Sequence, residues 1–286
     1  MSDLTGRGAI ITGANRGLGR VIAEHFVLAG ASVLLAARDA KLLDDVRIEL
    51  LPRAKGTQKV LAMSVDVSDQ KASDALVAKA IAELPNFCIL VNNAAVHGAK
   101  GALEESDWDQ WVQTIQTNLL APVYLCRCVI PHFKKSGYGK IINLSGGGAT
   151  SPMPRVSAYA ASKAALVRTT ETLAVELKDS HIDVNAIAPG AMNTRMLDEV
   201  LNAGPNVVGE EMYRKSIKQR DEGGAPPEKA AALAVFLAAK ESDGITGRLI
   251  SAIWDDWKNL PAKKEQLATS DVFTLRRIVP EDRGMK

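Results

Sequence analysis

Ala9-Ile10-Ile11-Thr12-Gly13-Ala14-Asn15-Arg16-Gly17-Leu18-Gly19, followed by a helical pattern to Leu28, sets the architecture of this chain. A β-rich run ends at Thr12, and Gly13, Gly17 and Gly19 follow as G-x-x-x-G-x-G before the helix starts. A glycine turn between a strand and a helix suits the pyrophosphate of a dinucleotide. Glycine allows the tight turn and the close backbone approach, and the helix N-terminus favours an anion.

Outward from this turn the alternation continues. Strands are expected over Ser32–Ala36, Val60–Val65, Ile89–Asn92, Lys140–Leu144, Asp183–Ile187 and Arg248–Ile253. Helices are expected over Ser73–Glu83, Trp108–His132, Ala158–Lys178 and Pro227–Ala238. Continuous apolar strands separated by helices imply an α/β fold, a doubly wound and mostly parallel sheet of the Rossmann type. Residues 1–257 read as a single dinucleotide-binding and catalytic domain. After Trp257 the chain turns polar and loses its periodicity, so 258–286 reads as a C-terminal extension.

With 286 residues, 47% of them hydrophobic, the chain can bury one large core. Its 35 basic and 33 acidic residues nearly cancel, and no basic block points to nucleic acid. The N-terminus lacks the apolar stretch of a signal peptide and no segment is long enough to span a membrane, which gives the expectation of a cytoplasmic protein. Cys88, Cys126 and Cys128 are too few and too scattered for a disulfide framework or a zinc site, so no metal is expected.

The end of the second strand bears on the choice of dinucleotide. An acid there would bind the ribose diol of NAD, whereas an arginine accommodates the extra phosphate of NADP. The acid position falls on Ala37; Arg38 follows, and Arg16 in the glycine turn adds a second cation. Asp39 comes one residue too late and reads as the cap of the next helix. NADP is the expected cofactor, with NAD the alternative.

Tyr159 and Lys163 stand four apart in Tyr159-Ala160-Ala161-Ser162-Lys163, on one face of a helix. An ammonium there favours the phenolate and brings the hydroxyl closer to neutrality. With the glycine turn upstream, the pair points to hydride-transfer chemistry.

These motifs, with Asp66-Val67, Asn92-Asn93-Ala94-Ala95, Asn118 and Asn185-Ala186-Ile187-Ala188-Pro189-Gly190 in order, resemble the short-chain dehydrogenase/reductase family from about Leu4 to Trp254. The resemblance implies that Tyr159 is the proton donor and acceptor. It gives Lys163 the lowering of the Tyr159 pKa and a hydrogen bond to the nicotinamide ribose. Asn118 would bend its helix and hold a water in the proton relay. Gly13, Asn15, Arg16, Gly17, Leu18, Gly19 and Arg38 would bind the dinucleotide, with Asp66 and Val67 at its adenine. Asn93, Ala94 and Ala95 would lie beside it, Ala95 replacing a usual glycine. Pro189, Gly190, Met192 and Thr194 would border the nicotinamide.

One member of the family's catalytic set is out of place. Its serine usually lies thirteen residues before the tyrosine, which here is Gly146 in Asn143-Leu144-Ser145-Gly146-Gly147-Gly148. Three explanations stand: the glycines let Ser145 serve; Thr150, Ser151 or Ser157 substitutes; or backbone N–H groups hold the substrate oxygen. Ser145 is the chosen candidate, although a one-residue slip on a strand reverses the face.

His97–Trp108 and Arg195–Gly223 should wall the substrate pocket, the second with Met196, Met212 and Tyr213 as apolar contributors and Gly223-Gly224 as a hinge. His97 and Arg155 read as a surface histidine and a solvated arginine ahead of substrate contacts. Family members pair the helices carrying Ala121, Ala164, Ala165 and Val167, which implies a homodimer or homotetramer. Val272–Val279 is expected to pack on its own or a neighbouring subunit.

The leading functional expectation is an NADP-dependent oxidoreductase interconverting a carbonyl and a secondary alcohol on a small molecule. The alternatives are a non-catalytic NAD(P)-binding regulatory or structural protein and an epimerase or dehydratase that returns the hydride to its own substrate.

Overall fold

The structure, a computed structural model, describes residues 2–285. The described residues form strands β1 (Gly8–Thr12), β2 (Ser32–Ala37), β3 (Val60–Ser64), β4 (Phe87–Asn92), β5 (Gly139–Leu144), β6 (Ile182–Ala188) and β7 (Leu249–Ser251). They make one sheet in the order β3-β2-β1-β4-β5-β6-β7, with every neighbouring pair parallel. The helices are α1 (Gly17–Leu28), α2 (Ala40–Leu50), α3 (Gln70–Glu83), α4 (Trp108–Ile115), α5 (Ala121–Ser136), α6 (Ser157–Glu176), α7 (Arg195–Ala203), α8 (Pro205–Val208), α9 (Glu210–Glu222), α10 (Pro227–Ala238) and α11 (Lys264–Ala268).

Strand alternation sends successive side chains to opposite faces, and both faces are covered. Ala9, Ile11, Val33 and Leu35 join Phe26 of α1, Val46 of α2 and Phe236 of α10 in one buried cluster. Ile10, Leu34 and Leu90 join Leu76 of α3, Val129 and Phe133 of α5 in the other. The direction of strand order reverses between β1 and β4, so a crevice opens beyond the carboxyl ends of these two strands. Ligands bind at such switch points in doubly wound sheets.

Several expected elements take a different form. The run from Trp108 is not one helix: α4 ends at Ile115, Gln116–Leu120 form a π-helical turn, and α5 begins at Ala121 with Pro122 in its first turn. Residues 195–222 are mostly helical rather than loop, folded as α7, α8 and α9, with Gly223 at φ +97° ending α9. Ala121 on α5 and Val167 on α6 point into the subunit's own core, while Trp108 on α4, Leu120 in the π turn and Val175 on α6 are exposed.

The tail folds back on the domain. Leu260 and Leu267 are buried in the first cluster, and the Trp257 ring lies 5.4 Å from that of Phe236. The Arg248 guanidinium donates to the carbonyls of Leu267, Ser270 and Val272, and the Leu249 N–H donates to Phe273 O at 2.8 Å. Val272 and Ile278 stay about half exposed, so only part of the expected apolar cluster is covered. Among the described residues no helix is long and apolar enough to cross a membrane.

Candidate active site

Thr12 closes β1 and ties the glycine turn to the neighbouring strand. Its Oγ1 accepts from the N–H groups of Asn93 and Ala94, each at 3.0 Å, and donates to Val91 O at 3.3 Å. Asn93 Nδ2 returns a bond to Thr12 O at 2.9 Å. The turn itself admits no side chains where it matters. A Cβ on Gly19 would lie 2.2 Å from Gly13 O, and Gly13 sits at φ +65° against Ala94. Chain and helix N-terminus pass so closely that only glycine fits.

This turn forms one wall of a cleft of about 840 Å³. Asn15, Arg16, Gly17 and Leu18 line it with Gly13 and Gly19; Arg38, Asp66 and Val67 line the end beyond β2 and β3; Asn93, Ala94 and Ala95 form its floor beyond β4. Pro189, Met192 and Thr194 close it from the β6 side, and Ser145, Tyr159 and Lys163 stand in the same space. Two expected residues do not line it. Gly190, at φ +91°, packs on Ala225 and Ile253 instead, and Asn118 lies behind the wall with Thr117 in front. Met196 lines the cleft, whereas Met212 and Tyr213 do not.

Asp39 caps α2, its Oδ1 accepting from Leu42 N at 3.0 Å, and it also lines the cleft beside Arg38. Arg38 is exposed at the cleft edge, 3.8 Å from Asp66. Partial burial works to raise the Asp66 carboxyl, but hydrogen bonds from Ser68 and the nearby Arg38 outweigh it and hold it below its ordinary value.

Lys163 is buried on α6, and its ammonium donates to Leu144 O at 2.7 Å while lying 5.8 Å from the Tyr159 ring centre. The expected lowering of the phenol is not found. Burial pushes Tyr159 up to about 12 and pulls Lys163 down to about 8. Loss of solvation is the cause in both cases, since burial disfavours the charged form of each group.

At the end of β5, Gly146 faces the tyrosine: a Cβ there would fall 2.4 Å from the Tyr159 hydroxyl. Ser145 is buried, its N–H donating to Ile187 O at 2.8 Å, and its hydroxyl has no hydrogen-bond partner among the described residues. Asn118, in the π turn, is also buried. Its Oδ1 accepts from Val96 N and its Nδ2 donates to Val96 O, both at 2.9 Å, with a longer contact to Ser162 Oγ. The side chain that the resemblance assigns to a water relay therefore grips the loop after β4.

His97 is misread by sequence. It is not a surface residue: it is 6% exposed, lines the cleft and stacks on the Tyr159 ring at 5.1 Å with 21° between the planes. Burial, aided by the Lys100 charge, pulls its pKa down to about 4. Arg155 takes no place in the cleft; it donates to the carbonyls of Asn206 and Val207 and pins α8. Among the described residues no group of three or more potential ligands could hold a metal ion.

The donor set fits a nicotinamide dinucleotide: a side-chain-free turn at a helix N-terminus, cations beyond β2, and a buried tyrosine-lysine pair at the far end. The family model for short chain dehydrogenases matches residues 7–204. A 3beta-hydroxysteroid dehydrogenase 1 from Eggerthella lenta is 34% identical over 248 residues, which cover 86% of this chain and 91% of that one. The solved structure of a 7α-hydroxysteroid dehydrogenase complexed with NADH and 7-oxo glycochenodeoxycholic acid superimposes with a TM-score of 0.77 at 29% identity, covering 87% of this chain and 93% of that one. A protein of Beutenbergia cavernae, assigned as an NAD(P)-dependent gluconate 5-dehydrogenase and holding NADP at low occupancy, matches with a TM-score of 0.76 at 29% identity, over 87% of this chain and 96% of that one. The chain belongs to the short-chain dehydrogenase/reductase family, NAD(P)-dependent enzymes that act on CH–OH groups.

Proposed function

We propose that this enzyme prefers NADP and interconverts a carbonyl and a secondary alcohol on a small polar or amphipathic molecule, with Tyr159 as its proton donor and acceptor. The observation that carries this reading is the sharing of one cleft by the glycine turn and the Tyr159 hydroxyl. The bound nicotinamide dinucleotide supplies or accepts the hydride. Tyr159 gives its Oη proton to the substrate oxygen in reduction and takes it back in oxidation. Lys163, buried on the same helix, would favour the phenolate that this transfer leaves behind and would hold the nicotinamide ribose. Ser145, its hydroxyl sealed and unpartnered, would reach the substrate oxygen by turning about its side chain, and Asn118 serves the site by fixing Val96.

Gly13, Asn15, Arg16, Gly17, Leu18 and Gly19 would hold the pyrophosphate and Arg38 the 2′-phosphate. Asp66 and Val67 would border the adenine, and Pro189, Met192 and Thr194 the nicotinamide. The cation at Arg38, with Asp39 engaged as a cap, supports the NADP preference. The exposed Trp108, Leu120 and Val175 support a homodimer or homotetramer through the α4–α6 face. We place the enzyme in the cytoplasm, with residues 1–257 as the catalytic domain and 258–286 as a C-terminal extension.

The test is a panel of carbonyls and alcohols followed by nicotinamide absorbance. Tyr159→Phe should abolish turnover while NADP still binds; full activity in that variant sinks the assignment. Tight cofactor binding with no turnover of any substrate class would favour a binding protein. Product formed without net change in the cofactor would favour an epimerase.

A further inference from the structure

The side chain that faces Tyr159 from β5 in this family is missing here, and a different polar group stands beside the phenol. We propose that His97 supplies the substrate-facing hydrogen-bond donor that Gly146 leaves out, presenting an Nε2–H to the oxygen of the carbonyl or alcohol bound next to Tyr159. This rests on the oxidoreductase reading above.

The two ring nitrogens of His97 are in different surroundings. Nδ1 is sealed from solvent without a hydrogen-bond partner among the described residues. Nε2 is neither sealed nor hydrogen-bonded, so it is the nitrogen open to the cleft that the ring lines. A neutral imidazole carries one proton. A sealed lone pair costs less than a sealed N–H, because orphaned buried donors are the rarer state. The proton therefore sits on Nε2, facing the cleft. Burial and the nearby Lys100 keep the ring neutral, so it donates a hydrogen bond without giving up its proton. The proton that reaches the substrate oxygen comes from Tyr159, and that of His97 stays in place.

Both flanks of His97 are immobilised. On one side the Asn118 amide bonds both the N–H and the C=O of Val96. On the other, Gly98 at φ +72° presses on α4 so closely that a Cβ would lie 1.7 Å from Thr114 Oγ1. Lys100 Nζ donates to Gly98 O at 3.2 Å. A residue held this way can serve as a preorganised donor, which needs no rearrangement during reaction. Ser145, by contrast, has its hydroxyl sealed in the wall and reaches a substrate only by turning.

Long-range ¹H–¹⁵N spectra of the histidine-labelled full-length protein read the tautomer directly, with the His97 signals assigned by their loss in His97→Phe. The expected result is a proton on Nε2 and no protonation down to about pH 5. A proton on Nδ1, or titration near the ordinary value of about 6.5, overturns the proposal. Reduction of 4-nitrobenzaldehyde by NADPH gives the second readout. His97→Phe keeps the stacked ring and should lower kcat about a hundredfold with NADPH affinity retained. His97→Gln, whose amide nitrogen reaches the Nε2 position, should recover to within about tenfold of wild type, and Ser145→Ala should cost about tenfold or less. Full activity in His97→Phe, or equal loss in the Phe and Gln variants, overturns a donor role. A wild type inert toward every carbonyl tried would sink the oxidoreductase reading instead, while the tautomer still decides the state of His97.

Discussion

Gly146 and Tyr159 occupy one space: a methyl group on the glycine would lie 2.4 Å from the phenol oxygen and 3.2 Å from Cζ. The tyrosine hydroxyl fills the volume that a side chain at position 146 would need. The glycine is thus matched to the placement of Tyr159, and the departure from the family's usual serine carries a geometric cause.

Gly146→Ser should therefore damage the enzyme. The new Cβ has to push the Tyr159 ring aside, and misplacing a general acid forfeits roughly 10²–10⁴ in rate. NADP affinity should be nearly unchanged, since the glycine turn is remote. Single-turnover rates and cofactor titration check this; a rate equal to or above wild type would mean that the phenol yields without cost.

Lys163 couples activity to stability in opposite directions. Its folded value of about 8 lies below the ordinary 10.5, so folding is penalised while both states are protonated. The penalty is fully present below about pH 8 and fades as pH rises toward 10.5. Lys163→Met should raise Tm at pH 7 by about 2–6 °C, lose turnover, and converge with wild type near pH 10. Tyr159 adds the opposite trend at higher pH, because its folded value of about 12 makes folding lose support as pH climbs past 10. A Tm difference independent of pH between 7 and 10 would contradict this account.

Arg38 should set the cofactor preference. Arg38→Ala is expected to weaken NADPH about tenfold or more while leaving NADH nearly untouched, the loss of one charge-assisted hydrogen bond. Fluorescence titration with both nucleotides measures it. An unchanged ratio would transfer the role to Arg16.

Arg248 should hold the tail. It is 8% exposed and bonds three carbonyls of residues 267–272. Arg248→Met would leave those carbonyls without their donor, at about 3 kcal/mol. Urea unfolding gives the loss, and limited trypsin digestion should cut first beyond residue 257. A variant as stable and as resistant as wild type would show that the tail docks by its apolar contacts alone.

What was legible in the chain was local. The apolar runs that became strands and the short-range cap at Asp39 depend on neighbours in sequence, and the structure bears them out within two or three residues. His97 was not legible, because its burial depends on Asn118 reaching across from a π turn and on Gly98 lying against Thr114. Residues 195–222 read as loop because glycines and a proline divide them into three short helices. Gly190 carries a family motif, yet its backbone turns away from the cleft toward Ala225 and Ile253. Ala121 and Val167 looked like outer positions until the break at Gln116–Leu120 and the packing of α6 turned them inward.

The Thr12 hydroxyl has a consequence for how such an enzyme can change its substrate. One oxygen joins the glycine turn to the first residues of the loop that leads to His97, so these parts behave as a single template. The wall from Arg195 to Gly223 has no share in that knot. New sequences can be installed there, and new molecules admitted, so long as Glu199, 3.7 Å from Lys100, keeps its place beside the His97 loop.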